Sequence, residues 1–398
     1  MRRVVVTGAG VVSALGVDLA DFWTALRAGR SGIGPIGAVD CSALKFSNGA
    51  EVREFNPLRH LSAKVAERLD RSVQFAGVAA AEAIEHSGIG IVPERAAVVT
   101  GCAVGGKPTE DETYRLLYQE HRTRFDPMSI PRAMMSASAS YLSMRYGITG
   151  PCYTVSTACA SAAHAIGQAF WMVRSGLVDV AITGGTEAPL TLGMLRVWEA
   201  MRVVAPDTCR PFSRNRRGLI LGEGAAVVVL EGLDAAVARG APVLAEICGF
   251  GMSSDAGHLT MPSAEGAARA MSAALRDAGL DAAQVGYINA HGTGTPANDA
   301  TETRAIRSVF ATPPLISSTK SMHGHALGAS PALEAVATLL ALRDGVQPPT
   351  ANFVEADAEC DLDVIPNRAR DAQVEAALSN SFAFGGLNAV LAFRRYAQ

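Results

Sequence analysis

Three short stretches, far apart in the 398-residue sequence, carry the side chains able to do covalent chemistry. The first is Val155-Ser156-Thr157-Ala158-Cys159-Ala160-Ser161. It follows the β-prone run 152–155 and precedes the small-residue run 162–171, so the order is strand, tight turn, helix, with a cysteine at the turn. A thiol there faces the free N–H groups and the positive end of a helix, which favours thiolate. An inert buried cysteine fits the same seven residues, because free cysteine is among the most buried residue types.

The second stretch is His291-Gly292-Thr293-Gly294-Thr295, at the end of an apolar run. Its glycines allow a ligand or a backbone to approach. Thr293 and Thr295 can hydrogen-bond an amide-bearing ligand, and Thr295 can equally cap the helix that would start at Pro296. The third stretch places Lys320, His323 and His325 within six positions. The chain has only four lysines, Lys45, Lys64, Lys107 and Lys320. Lys320 follows a buried-looking strand, where lysine is costly unless paired, and Glu334 in the next helix is a candidate partner. His323 and His325 alternate, so one of them is expected to face a site. No third ligand stands at a spacing that suits zinc. Phe384-Gly385-Gly386 is a glycine turn between two strands, able to offer a backbone N–H to an oxyanion or to be an ordinary β-turn. One cysteine, two histidines, a lysine and a glycine-turn amide together point to acyl transfer through a thioester. Cys159 would be the nucleophile, neutral histidines would donate hydrogen bonds to an enolate, and the N–H groups of Cys159 and Phe384 would form an oxyanion hole.

Strands and helices alternate around these stretches. Strands are expected over 3–7 (closed by Gly8-Ala9-Gly10), 96–101, 178–185, 225–231, 243–249, 285–290, 315–318, 376–382 and 389–393. Helices are expected over 18–27, 62–87, 264–279, 299–310 and 331–343. The polar, Met-rich stretch 108–135 shows no clear type and would wrap a site or a partner. This alternation is the pattern of an α/β fold. After Gly240 the style repeats, which predicts two related halves, 1–240 and 241–398, each with one reactive turn. No low-complexity linker divides them.

Hydrophobic residues make up 49% of the chain, ample for a large core. There are 39 glycines and only 6% aromatics, which suits helices packed close to sheets. A net charge of −3 gives no bulk reason to bind nucleic acid or a membrane surface. No apolar run reaches the length of a membrane span. The first residues run straight into a strand without a signal-peptide core. Seven scattered cysteines without a CxxC pair predict a reduced, cytoplasmic setting.

The TACAS turn at Cys159, the HGTGT loop at His291, the KSMHGHALGA run from Lys320 and the NSFAFGGLN run from Asn380 resemble the β-ketoacyl-[acyl-carrier-protein] synthases, most of all the synthase II type of fatty acid and polyketide systems. VVVTGAGVVSALG at 4–16 and RPFSRNRRGLILGEGAA from Arg210 extend the resemblance over nearly the whole chain. The resemblance implies a thiolase-like fold of two halves in five layers, αβαβα. It implies that Cys159 carries the acyl group and that His291 and His325 promote malonyl decarboxylation and stabilise the enolate. Lys320, held by Glu334, would give electrostatic support and order water, with Asp299 and Glu302 in a network around it. Thr293 and Thr295 would hold the phosphopantetheine arm, and Phe384 would be the gate. Catalysis would need no metal and no organic cofactor. The partner would be acidic acyl-carrier protein, docking on Lys64, Arg68, Arg71, Arg210, Arg214, Arg216 and Arg217. The enzyme would be a homodimer, or a heterodimer with a chain-length-factor subunit, built through 108–138.

The sequence departs from the family at Ala383 (usually glycine), Leu387 (usually threonine) and His323 (usually small). These changes bear on the substrate more than on the reaction, and would fit a dedicated polyketide or polyene synthase. Three other functions fit less well. Thr7-Gly8-Ala9-Gly10 resembles a dinucleotide turn, but the third glycine is missing. A non-catalytic partner subunit would not keep Cys159, His291, Lys320 and His325 together. A degradative thiolase would carry a second cysteine where Phe384 stands.

Overall fold

The β-branched and small-residue runs form a ten-stranded sheet, seen in a computed structural model that describes residues 1–396. Up to Ala238 the chain forms β1 (Val4–Ser13), α1 (Leu19–Arg27), α2 (Ala63–Ala66), α3 (Arg71–Ser87), β2 (Ala96–Gly101), α4 (Lys107–Tyr118), α5 (Ser129–Ala133) and α6 (Ala137–Tyr146). Then follow β3 (Cys152–Val155), α7 (Ser161–Ser175), β4 (Val180–Glu187), α8 (Leu192–Met201), β5 (Gly224–Gly232) and α9 (Leu233–Ala238). The remainder forms β6 (Ala245–Ser254), α10 (Ala264–Ala278), β7 (Val285–Asn289), α11 (Pro296–Val309), β8 (Leu315–Ser317), α12 (Lys320–His323), α13 (Ser330–Asp344), β9 (Ala376–Ala383) and β10 (Leu387–Arg394).

The strand order is β8-β7-β9-β10-β6-β1-β5-β4-β2-β3. At the centre, β1 meets β6 antiparallel through Val4, Val5 and Val6 alone. The five strands on each side repeat one pattern. On one side β3, β2 and β4 are parallel, and β5 and β1 follow antiparallel. On the other, β8, β7 and β9 are parallel, and β10 and β6 follow antiparallel. Helix α3 covers the first group, α10 covers the second, and α7 packs with α13 between them. The result is the α/β, five-layer αβαβα arrangement of the thiolase-like fold. Every residue of α13 from Ser330 to Leu342 is buried, as a helix in a central layer must be.

Four local features differ from the sequence-based expectation. Strand β1 does not end at Thr7 but runs through Gly8 and Gly10 to Ser13. A Cβ on Gly8 would collide with the backbone of Ala83, and one on Gly10 with that of Ala79, so these glycines seat α3 and form no phosphate-binding turn. The helical pattern over 62–87 is two helices, because buried Asp70 stops the chain between them and caps α3 by accepting from Ser72 N at 2.9 Å. The stretch 108–135 holds α4 and α5. Helix α11 also starts earlier than Asp299, at Pro296, because Thr295 caps it and proline suits its first position.

Candidate active site

Cys159 sits in the turn between β3 and α7. Ala158 takes a left-handed backbone, φ +48°, a strained choice for a residue with a Cβ. Ser161 holds the turn: its Oγ donates to Ala158 O at 2.7 Å and accepts from Thr157 N at 2.9 Å. The start of α7 rests on Gly101, where any side chain would strike the backbone of Ala162. Cys159 is 7% exposed. Burial, with the negative charge of Glu187, pushes its thiol up to about 12, against the pull of Lys320 and of the N–H groups of Phe384 and Cys159 itself. The resting thiolate expected from the helix end is therefore corrected: desolvation of the sulfur outweighs the helix end and the N–H groups.

His291 follows β7, and His325 follows α12. Both rings line the cavity that Cys159 lines, with centroids 5.6 Å apart and planes at 85°. Lys320 lies behind them, fully buried. Its Nζ donates to Glu334, to His291 O at 2.7 Å and to His291 Nδ1 at 3.3 Å. The nitrogen Nδ1 of His325 lies 2.9 Å from Ser330 Oγ. Burial, with the positive charge of Lys320, drives both histidines well below their usual pKa, so both are neutral at physiological pH. His323 turns away: its Nε2 meets Thr319 Oγ1 at 3.0 Å.

Glu302 and Asp299 lie beneath the His291 loop and not against the lysine ammonium. Glu302 accepts from His291 N at 2.9 Å and Gly292 N at 2.8 Å, and Asp299 accepts from Phe212 N at 2.7 Å and Gly294 N at 3.2 Å. They shape the loop that carries the imidazole. Thr293 and Thr295 line the cavity with their hydroxyls 2.8 Å apart, and Thr295 also caps α11. Phe384 leads the turn between β9 and β10, stacked on Trp198 with centroids 6.2 Å apart. The segment beyond β6 closes on this turn, with Gly385 N donating to Leu259 O at 2.7 Å and Asp255 N to Gly386 O at 2.9 Å. Ala383 also lines the cavity, and Leu387 opens β10. A cysteine sulfur, two neutral hydrogen-bond donors and two backbone N–H groups thus converge on one apolar cavity, a set suited to thioester exchange and enolate formation.

Residues 1–236 match the family model "Beta-ketoacyl synthase, N-terminal domain", and residues 244–354 match "Beta-ketoacyl synthase, C-terminal domain". The chain belongs to the beta-ketoacyl synthase family. It is a β-ketoacyl-ACP synthase, an enzyme of the acyltransferase class. It is 49% identical to Nodulation protein E of Rhizobium sp. (strain N33), over 99% of both chains. It is 44% identical to 3-oxoacyl-[acyl-carrier-protein] synthase 2 of Coxiella burnetii, again over 99% of both. The solved ishigamide ketosynthase/chain length factor superposes with a TM-score of 0.94 at 38% identity, covering 100% of both chains.

Not all the basic residues expected to dock a carrier are free in this ketosynthase. Arg216 is 8% exposed and pairs with Asp357, its charge neutralising a loop beside Asp299. Arg71 turns inward to Glu223 at 2.7 Å, and Arg210 pairs with Asp207 at 2.8 Å. Arg214 pairs with Glu355 at 2.7 Å but stays exposed. Lys64, Arg68 and Arg217 are exposed. Three side chains at the site escaped the sequence-based list: Ser330, Trp198 and Glu187. Ser330 was findable, five residues after His325 at the head of a helix. Trp198 and Glu187 have no local pattern that marks them. Among the described residues, no helix is long and apolar enough to cross a membrane, and no group of three or more His, Cys, Asp or Glu is placed to hold a metal ion.

Proposed function

We propose that the chain condenses an acyl group held as a thioester on Cys159 with malonyl-acyl-carrier protein, releasing carbon dioxide. What carries this proposal is the crossed His291–His325 pair in the Cys159 cavity, with Lys320 fixing His291 from behind. An ammonium only donates, so His291 Nδ1 accepts and its proton sits on Nε2. Ser330 Oγ–H donating to His325 Nδ1 puts that proton on Nε2 as well.

The cycle is ping-pong. The sulfur of Cys159 attacks the acyl thioester, and its proton leaves with the carrier thiol. The N–H groups of Cys159 and Phe384 hold the oxyanion. Malonyl-carrier then loses carbon dioxide, and the two Nε2–H groups hold the enolate oxygen. The enolate carbon attacks the acyl carbon, the C–S bond to Cys159 breaks, and one proton from water restores the thiol. Thr293 and Thr295 hold the phosphopantetheine arm, Phe384 gates the sulfur, and Glu334, Asp299 and Glu302 keep Lys320 and the His291 loop in place. Catalysis uses no metal and no organic cofactor.

Acyl-carrier protein docks on Lys64, Arg68, Arg214 and Arg217. The enzyme works in the cytoplasm as a dimer with its own kind or with a chain-length-factor subunit, and its two halves are 1–240 and 241–398. Strand β3 is an open sheet edge, and α4 to α6 beside it expose Tyr118, Ile130 and Met144 at 71%, 74% and 75%. Such an apolar edge favours a partner chain. Ala383, Leu387 and His323 favour a dedicated pathway over housekeeping synthesis, in line with the higher identity to Nodulation protein E. Intact-mass analysis after mixing with acyl-carrier proteins of several chain types tests both points. The expected result is one preferred acyl adduct, lost in Cys159→Ala. An adduct that survives Cys159→Ala refutes the mechanism.

A further inference from the structure

Glu187 is the last residue of β4 and is fully buried. Among the described residues it has no Lys or Arg partner. Its carboxylate is held instead by backbone: Ala103 N donates to it at 2.8 Å, Val104 N at 3.2 Å and Gly328 N at 3.0 Å. The thiol of Cys102 donates at 3.3 Å. A buried carboxylate without a cation is expensive, and three N–H donors are what makes it tolerable. Burial still raises it to about 7.

The donors come from two loops far apart in sequence that meet at Glu187. Ala103 and Val104 follow β2 and pack in the apolar cluster that includes Trp198, Leu327 and Phe384. Gly328 lies in the 3-10 turn Leu327–Ala329, between His325 and Ser330. That turn is tight: Leu327 has φ +44°, and a Cβ on Gly328 would stand 2.6 Å from Ala103 N and 2.7 Å from Glu187 Oε2. Ser330, two residues on, is the group that meets His325 Nδ1. Glu187 therefore clips the turn carrying the histidine's partner onto the half that carries Cys159.

We propose that Glu187 is a positioning residue for the condensation: its carboxylate fixes the Leu327–Ala329 turn, and so sets Ser330 and His325 against the substrate on Cys159. This rests on the ketosynthase mechanism above. In Glu187→Gln one acceptor oxygen becomes a donor that faces donors. The turn loses part of its anchor, while the Cys159 elbow keeps its Ser161 bonds, and loss of the negative charge, which raises the Cys159 thiol, does not slow acylation.

The test is to measure the two partial reactions separately in the full-length enzyme, wild type and Glu187→Gln, with a melting curve for each. Expected is acylation of Cys159 no more than about threefold slower than wild type, and malonyl decarboxylation about ten- to a hundredfold slower, the scale set by a small misplacement of a catalytic group. Glu187→Asp keeps the charge but retracts it by one methylene, and should lie between the two. Equal loss in both partial reactions, or loss in neither, overturns the proposal. Failure of both variants to fold also overturns it, leaving Glu187 a structural clip alone. A wild-type enzyme that neither acylates nor decarboxylates refutes the ketosynthase mechanism instead, so the two failures are distinct.

Discussion

Replacing Glu334 and replacing Lys320 should not be equivalent, although the two form one buried pair. Glu334→Leu strands an ammonium that keeps only His291 O and His291 Nδ1 for company. Breaking a buried pair in that way costs about 3–5 kcal/mol. Lys320→Met strands a carboxyl instead. Burial already raises Glu334, so without Lys320 it takes a proton, and at pH 5, near the ordinary carboxyl value, this costs little beyond lost hydrogen bonds, about 1–2 kcal/mol; at pH 7 the ionised unfolded carboxyl adds roughly 2–3 kcal/mol more. Unfolding entropy of ~2.1 cal/mol/K per residue, multiplied by 398 residues, is roughly 0.8 kcal/mol/K. Calorimetry at pH 5 should therefore show the melting temperature falling by about 4–6 °C in Glu334→Leu and about 1–2 °C in Lys320→Met. A carboxyl whose folded pKa is raised stabilises the fold at low pH and loses that contribution as pH rises through the folded value. Lys320→Met should accordingly lose further stability on going to pH 9. Equal falls at pH 5, or the reverse order, would refute the assignment of the charges.

Two further outcomes check the site. With its thiol raised to about 12 by burial, Cys159 should be alkylated by iodoacetamide at a rate that climbs about tenfold per pH unit up to pH 10; a plateau with a midpoint below pH 9, read by intact mass, would contradict this. His291→Ala and His325→Ala should each keep acylation of Cys159 and lose malonyl decarboxylation by about 10²- to 10⁴-fold. Unchanged carbon dioxide release in both would remove the roles given to the histidines.

The positions of Cys159, His291 and Phe384 were legible in sequence because each sits at a strand end marked by glycine or small residues. The alternation of apolar runs likewise set the α/β class. What local patterning missed is what depends on distant neighbours. Gly8 and Gly10 look like a turn until α3 is seen lying on them. Arg71 and Arg216 look like surface charge until Glu223 and Asp357, each more than 100 residues away in sequence, meet them. The thiolate expected at Cys159 followed from the helix it precedes, but the state of the sulfur is set by the layers that bury it. Asp70 reads as one more polar residue in a helical run, and only its burial shows why the helix breaks there.

The central layer has a consequence for how the molecule is made. Helix α7 follows the Cys159 turn, and its buried face is completed by α13 and by Phe250 on β6. During synthesis α7 emerges well before either. A nascent chain of some 240 residues therefore holds an uncovered apolar helix beside a short sheet, with Cys159 in water and its histidines not yet translated. Domains tend to fold as units while they emerge, and exposed apolar faces are where such intermediates aggregate. The arrangement that buries Cys159 in the finished enzyme leaves the half-built one with an apolar helix face uncovered until β6 and α13 arrive.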